Sequence, residues 1–118
     1  MSKTSHAYIQ DIIQELEDIL LFTQDGQEAF EADIKTQKAV IRSYEVIGEI
    51  CKRLPTPLRT QYPAIEWRKL ITFRDFLAHN YERVAFRYIW QAVQDVPALH
   101  QAMVQMLADL ANYDNETS

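Results

Sequence analysis

A chain of 118 residues is long enough for one hydrophobic core and too short for two comfortable domains, so residues 1–118 read as a single domain with an ordered core of about 4–112. With 47% hydrophobic residues, two glycines and four prolines, the composition excludes general disorder and favours helix. A formal net charge of -5 excludes a protein that coats nucleic acid through a uniformly basic surface.

The charge is unevenly spread. Between Lys52 and Arg87 eight basic residues face three acids, a balance of +5, while the rest of the chain holds four bases and fourteen acids, a balance of -10. That split reads either as a solvated asymmetry or as a local anion-binding surface. The single cysteine, Cys51, has no partner for an intramolecular disulfide and reads as a small core residue in a reducing compartment.

From Thr4 to Phe22 the apolar residues Ile9, Ile12, Ile13, Leu16, Ile19 and Leu20 fall on one helical face, with Thr4 or Ser5 placed to cap its start. Asp11, Glu15, Glu17 and Asp18 lie within that pattern, as neither a signal-peptide core nor a membrane span would allow, so the expected location is cytoplasmic. Gly26 in "TQDGQ" breaks the helix, and "EAFEAD" reads as a short helical turn. A second long helix is expected from Ile34 to Leu54, with Val40, Ile41, Tyr44, Ile47, Ile50 and Cys51 inward. Gly48 costs such a helix about 1 kcal/mol relative to alanine, and its expected use is close approach of a neighbour.

Three prolines in "LPTPLRTQYPAI" predict a connector. A third helix follows from about Glu66, with Trp67, Leu70, Ile71, Phe73, Phe76 and Leu77 apolar nearly all round. Its surplus face, with Trp67, Phe73 and Phe76 available, predicts burial against a second chain. A fourth segment resumes at Phe86, and Pro97, allowed only in a first helical turn, predicts a fresh helix capped by Asp95. With no sustained alternation, the fold class is all-α: an up-and-down bundle of four to five helices, paired as a homodimer through the motif helices.

No C-x-x-C pair, H-E-x-x-H, phosphate-cradling glycine loop or G-x-S-x-G elbow occurs, so no metal site and no cofactor are expected. His6 and His100 read as surface residues. The chemistry is concentrated in "RDFLAHNYERV", residues 74–84, where Arg74, Asp75, His79, Asn80 and Tyr81 stand together. Asp75 and His79 are helical neighbours, so the carboxylate is placed to hold the imidazole in one tautomer. Arg74 and His79, five apart, lie about 140° from one another around a helix and converge poorly within one chain. An arginine fork and a histidine are what cleavage of RNA by its own 2'-hydroxyl requires, with a second copy supplying the second histidine. The same residues are also open to a structural role, as a helix end or an ion pair with Asp75.

"RDFLAHNY" fits an R-x4-H-x-Y signature and resembles the HEPN superfamily, more closely the HepT-like toxins of bacterial toxin–antitoxin pairs. "KTQKAVIRSYEVIGEICKRLP", "YPAIEWRKLITFRDFLAHNY" and "IWQAVQDVPAL" resemble further segments of that family, so the likeness covers roughly residues 7 to 111. The resemblance implies a dimeric helical bundle with a composite, metal-independent endoribonuclease site, RNA as substrate, and a type VII-like toxin role. By that resemblance Arg74 and His79 match the catalytic pair, and Asp75 matches the polar position after the arginine. Tyr81 matches the tyrosine to which a partner MNT-type nucleotidyltransferase antitoxin adds AMP. Asn80 stands where many relatives carry glycine, and asparagine also tolerates a left-handed helix end. The alternative is a non-catalytic interaction or nucleotide-binding subunit of a nucleotidyltransferase complex.

Overall fold

The computed structural model describes residues 3–80 and 85–117, with residues 112–117 described as helix backbone alone. Five principal helices and two short ones occupy these residues: α1 Ser5–Phe22, α2 Gln27–Ala32, α3 Ile34–Arg53, α4 Thr56–Thr60, α5 Trp67–Asn80, α6 Phe86–Gln94 and α7 Val96–Thr117. The fold is all-α, as the periodicity predicts.

Helix ends follow their local chemistry. The Thr4 side chain accepts a hydrogen bond from Ala7 N at 3.1 Å, which settles the cap of α1 on Thr4 rather than Ser5. Gly26, at φ 95°, opens α2 from a backbone region that side chains rarely adopt. Asp33 caps α3, accepting from Lys35 N at 3.0 Å and Thr36 Oγ1 at 2.8 Å. Pro97 falls in the first turn of α7, directly after α6 ends.

The proline-rich connector is not structureless: Thr56–Thr60 forms α4. Pro55 precedes it and Pro57 sits in its first turn, where a proline removes no helical hydrogen bond. The short α2 is also more than a turn in passing. Its Phe30 is 1% exposed and meets Phe86 edge-on at 6.4 Å and Trp90 at 5.7 Å, which fastens α2 to α6. Buried Gln37 donates to the carbonyls of Phe30 and Glu31, both at 3.0 Å, and so satisfies the end of α2.

The main packing runs α5 against α3, α3 against α1, and α1 against α7. Among the described residues no comparable packing closes α5 onto α7, so the four long helices form an open series with a cleft between its ends. The core threads through it: Ile9, Ile12, Leu16 and Ile19 from α1, Val40 and Ile47 from α3, Leu77 from α5 and Met103 and Met106 from α7 have no measurable exposure. Cys51 is equally buried, as its pattern predicts. His100 is half-buried rather than a free surface residue, with Nε2 3.3 Å from Glu17 Oε2, linking α7 to α1.

α5 is less bare than its sequence implies. Trp67 is 7% exposed and donates from Nε1 to Tyr62 O at 3.1 Å, and half-buried Phe73 packs edge-on to Tyr44 at 5.0 Å. Only Phe76 of the expected trio stands out, at 43% exposed. No described helix is long and apolar enough to cross a membrane.

Candidate active site at the end of α5

Arg74 is seated where α5 crosses α3 at Gly48. A Cβ added at position 48 would overlap the Cβ and Cγ of Arg74 and crowd the Leu70 carbonyl, so the glycine is the reason the two helices approach closely enough to hold the arginine. The guanidinium is tied on both sides: Nη1 donates to Asp75 Oδ1 at 3.1 Å, and Nη2 lies 3.3 Å from Glu49 Oε2. Its Nε is buried and has no partner among the described residues.

Asp75 does not hold His79, contrary to the i, i+4 expectation. Its Oδ1 also accepts from Lys52 Nζ at 2.7 Å, so the carboxylate turns to α3 and to Arg74. The Lys52 hydrogen bond, and after it the Arg74 hydrogen bond, hold the Asp75 carboxyl below its ordinary value. Glu49, Lys52, Arg74 and Asp75 form one network across the α3–α5 seam, with Arg53 3.8 Å from Glu49 at its edge.

His79 occupies the last turn of α5 and is exposed, without a hydrogen bond or ion pair among the described residues. Arg74 faces α3 whereas His79 faces outward beside Phe76, in keeping with the angle expected from their spacing. One chain therefore presents the two groups on different faces.

The Asn80 side chain donates from Nδ2 to Phe76 O, one turn back along α5, at 3.0 Å. Asn80 is itself helical, and no described residue other than glycine has positive φ. Tyr81 lies outside the described residues. Among the described residues no three His, Cys, Asp or Glu side chains gather as ligands for a metal ion.

Sequence reasoning missed Glu49 and Lys52. The signal was present only as charge on the last turns of α3, since Lys52 is 23 residues from Asp75.

Over residues 9–106 the chain matches the family model described as Ribonuclease HepT-like. It is 37% identical over 117 residues to a Methanocaldococcus jannaschii protein provisionally named as an RNase, covering 98% of this chain and 97% of that one. It is 40% identical over 101 residues to a Thermococcus cleftensis protein provisionally named as the ribonuclease HepT, covering 84% of this chain and 92% of that one. A Caldanaerobacter subterraneus protein, also provisionally named as an RNase, is 32% identical over 107 residues, covering 89% and 96%. No solved structure matches the chain.

Proposed function

The chain belongs to the HepT-like ribonuclease family, and from that premise we propose that it is a metal-independent endoribonuclease and the toxin of a type VII-like toxin–antitoxin pair in the cytoplasm. Two copies pair about a twofold axis through α5 and bring Arg74 and His79 of both to one cleft. The observation that carries this reading is the separation of Arg74 and His79 on α5, which a second copy resolves. The exposed Phe76, one turn before His79, supplies apolar surface for the contact.

In that cleft one His79 takes the proton of a ribose 2'-hydroxyl as the oxygen attacks the adjacent phosphorus. The bond from phosphorus to the 5'-oxygen breaks, and the partner subunit's His79 returns a proton to the leaving oxygen. Histidine is suited to both roles because it exchanges a proton near neutral pH. The Arg74 fork neutralises charge growing on the phosphoryl oxygens, leaving a 2',3'-cyclic phosphate and a 5'-hydroxyl.

Tyr81 follows Asn80 immediately in the chain. AMP added there by a partner MNT-type nucleotidyltransferase places phosphate charge and bulk beside His79 and closes the cleft to RNA. Expression in cells tests the scheme: growth arrest lost in His79→Ala, and relieved by the nucleotidyltransferase with AMP on the Tyr81 peptide, supports it. Undiminished arrest by His79→Ala, or none from protein free of AMP, contradicts it.

A second reading is favoured by one feature, the engagement of Arg74 by both Glu49 and Asp75. An arginine already held by two carboxylates serves a structural seam, and the chain is then a non-catalytic interaction or nucleotide-binding subunit of a nucleotidyltransferase complex. That reading requires tight complex formation with the nucleotidyltransferase and no cleavage by the isolated protein.

A further inference from the structure

α5 is flanked by two hollows that the cleavage chemistry does not use. Between α4 and α5 lies a groove of about 1000 Å³ lined by Arg59, Arg68 and Lys69 and by Thr56, Thr60 and Thr72. Its three cations face one acid, Glu66, in a chain whose net charge is -5. Lys69 lies 4.0 Å from Glu66 and 3.8 Å from Asp95, both exposed pairs of the kind that exchange readily with another anion.

On the other flank, where the open helical series leaves α5 apart from α7, lies a cleft of about 840 Å³. Phe73, Phe76, Tyr88 and Leu99 form its walls. Tyr44 also lines it, only 4% exposed, with a hydroxyl that finds no hydrogen-bond partner among the described residues. At the rim Arg87 lies over the Tyr88 ring, 5.5 Å from its centroid. Glu66, Lys69, Phe73 and Phe76 line both hollows, so the two are the sides of a single ridge.

A polyanion track beside a cleft with aromatic walls, a buried hydroxyl without a partner among the described residues, and Gln91 and Asp95 on its α6 side matches the parts of a single-stranded nucleic acid. Phosphates need the cations, and an unstacked base needs aromatic faces and a hydrogen-bond partner at its edge. A duplex offers no splayed base to such a cleft. From Lys69 to His79 the helix rises about 15 Å, so a strand on the ridge runs on toward the histidine. We propose that single-stranded RNA sits astride the N-terminal half of α5, ahead of the Phe76–His79 turn that pairs with the second copy, its phosphates along Arg59, Arg68 and Lys69 and one unstacked base in the cleft lined by Tyr44. The identity of the strand as RNA rests on the ribonuclease reading; the two-sided site does not.

The test uses full-length His79→Ala protein and labelled oligo(U), oligo(A) and oligo(C) ribonucleotides, with binding followed by fluorescence anisotropy across a salt series. Arg68 and Lys69 are exposed, so replacing both with alanine leaves the fold intact, which circular dichroism checks. That double variant is expected to weaken all three oligomers about tenfold or more and to flatten the slope of log affinity against log salt by about 1.4, for two lost phosphate contacts. Tyr44→Phe keeps the ring and removes only the hydroxyl; it is expected to change the ratios among the three oligomers about threefold or more with the slope unchanged. Unchanged affinity in the double variant overturns the phosphate track, and unchanged ratios in Tyr44→Phe overturn the base cleft. A second copy occupying the cleft would appear as a change of mass in Tyr44→Phe without any change in oligomer ratios, and also overturns it. Failure of the ribonuclease reading is seen separately: both binding effects then persist while protein with His79 intact cleaves nothing.

Discussion

Gly48 and Arg74 occupy one another's space: a single Cβ on the α3 residue would overlap the first two side-chain carbons of the α5 residue. The arginine's position is therefore set by a glycine 26 residues earlier in the sequence. Cβ and Cγ are the near end of the side chain, so they have little freedom to give way.

Gly48→Ala gains about 1 kcal/mol of helix propensity but forces α3 and α5 apart, at an overpacking cost of about 1–3 kcal/mol. A lower melting temperature is expected, by several degrees, together with a loss of RNA cleavage larger than the stability change explains. Thermal unfolding and an RNA cleavage assay on the same preparation check this. A stabilised and fully active variant would show that the contact does not position Arg74.

Arg74→Lys separates catalysis from packing. Lysine keeps the positive charge beside Glu49 and Asp75 but not the fork that fits a phosphate. Cleavage is expected to fall about 100-fold with the helical content unchanged, a loss typical of one donor to developing charge. Near-normal cleavage would assign Arg74 to the seam alone.

The Asp75 carboxyl, held below its ordinary value by Lys52 and then Arg74, makes the α3–α5 seam acid-sensitive. A folded-state value lower than the unfolded one contributes stability above the unfolded value, and that contribution disappears as pH falls through the folded one. The loss is thus expected below about pH 4, the ordinary carboxylate range. Asp75→Asn should remove that part of the acid dependence. Melting temperatures of both proteins from pH 7 to pH 2 check it: the gap between them must narrow on the acid side.

Cys51 has no exposed surface, and burial pushes its thiol up to about 12. It is expected to resist thiol reagents in the native protein at pH 8 and to react at the rate of unfolding. Rapid labelling of folded protein would place it at an accessible surface instead.

The core was legible in the sequence because burial follows period: Ile9, Ile12, Leu16 and Ile19 recur at helical spacing and are fully buried. Leu20 fits the same pattern and is 37% exposed, since α3 and α7 together leave part of the stripe uncovered. Gly48 was legible as a point of close approach, although its partner was not. What escaped were relations between distant elements. Spacing along one helix pairs Asp75 with His79, whereas the folded chain gives Asp75 to Lys52 on another. Composition marked residues 55–60 as connector because Pro55 and Pro57 count against helix, yet both stand where a helix start accepts them. Nor could the local pattern of α5 reveal that Trp67 turns inward to the Tyr62 carbonyl, leaving Phe76 as the exposed ring.

The activity proposed for Arg74 and His79 is cleavage of RNA without a metal ion. Its most direct measurement is incubation of purified, AMP-free protein with a tRNA and mRNA mixture in EDTA, beside His79→Ala, with the product ends identified. Fragments ending in 2',3'-cyclic phosphate and 5'-hydroxyl, absent with His79→Ala, are expected. No cleavage by the AMP-free protein, or equal cleavage by the variant, would contradict it.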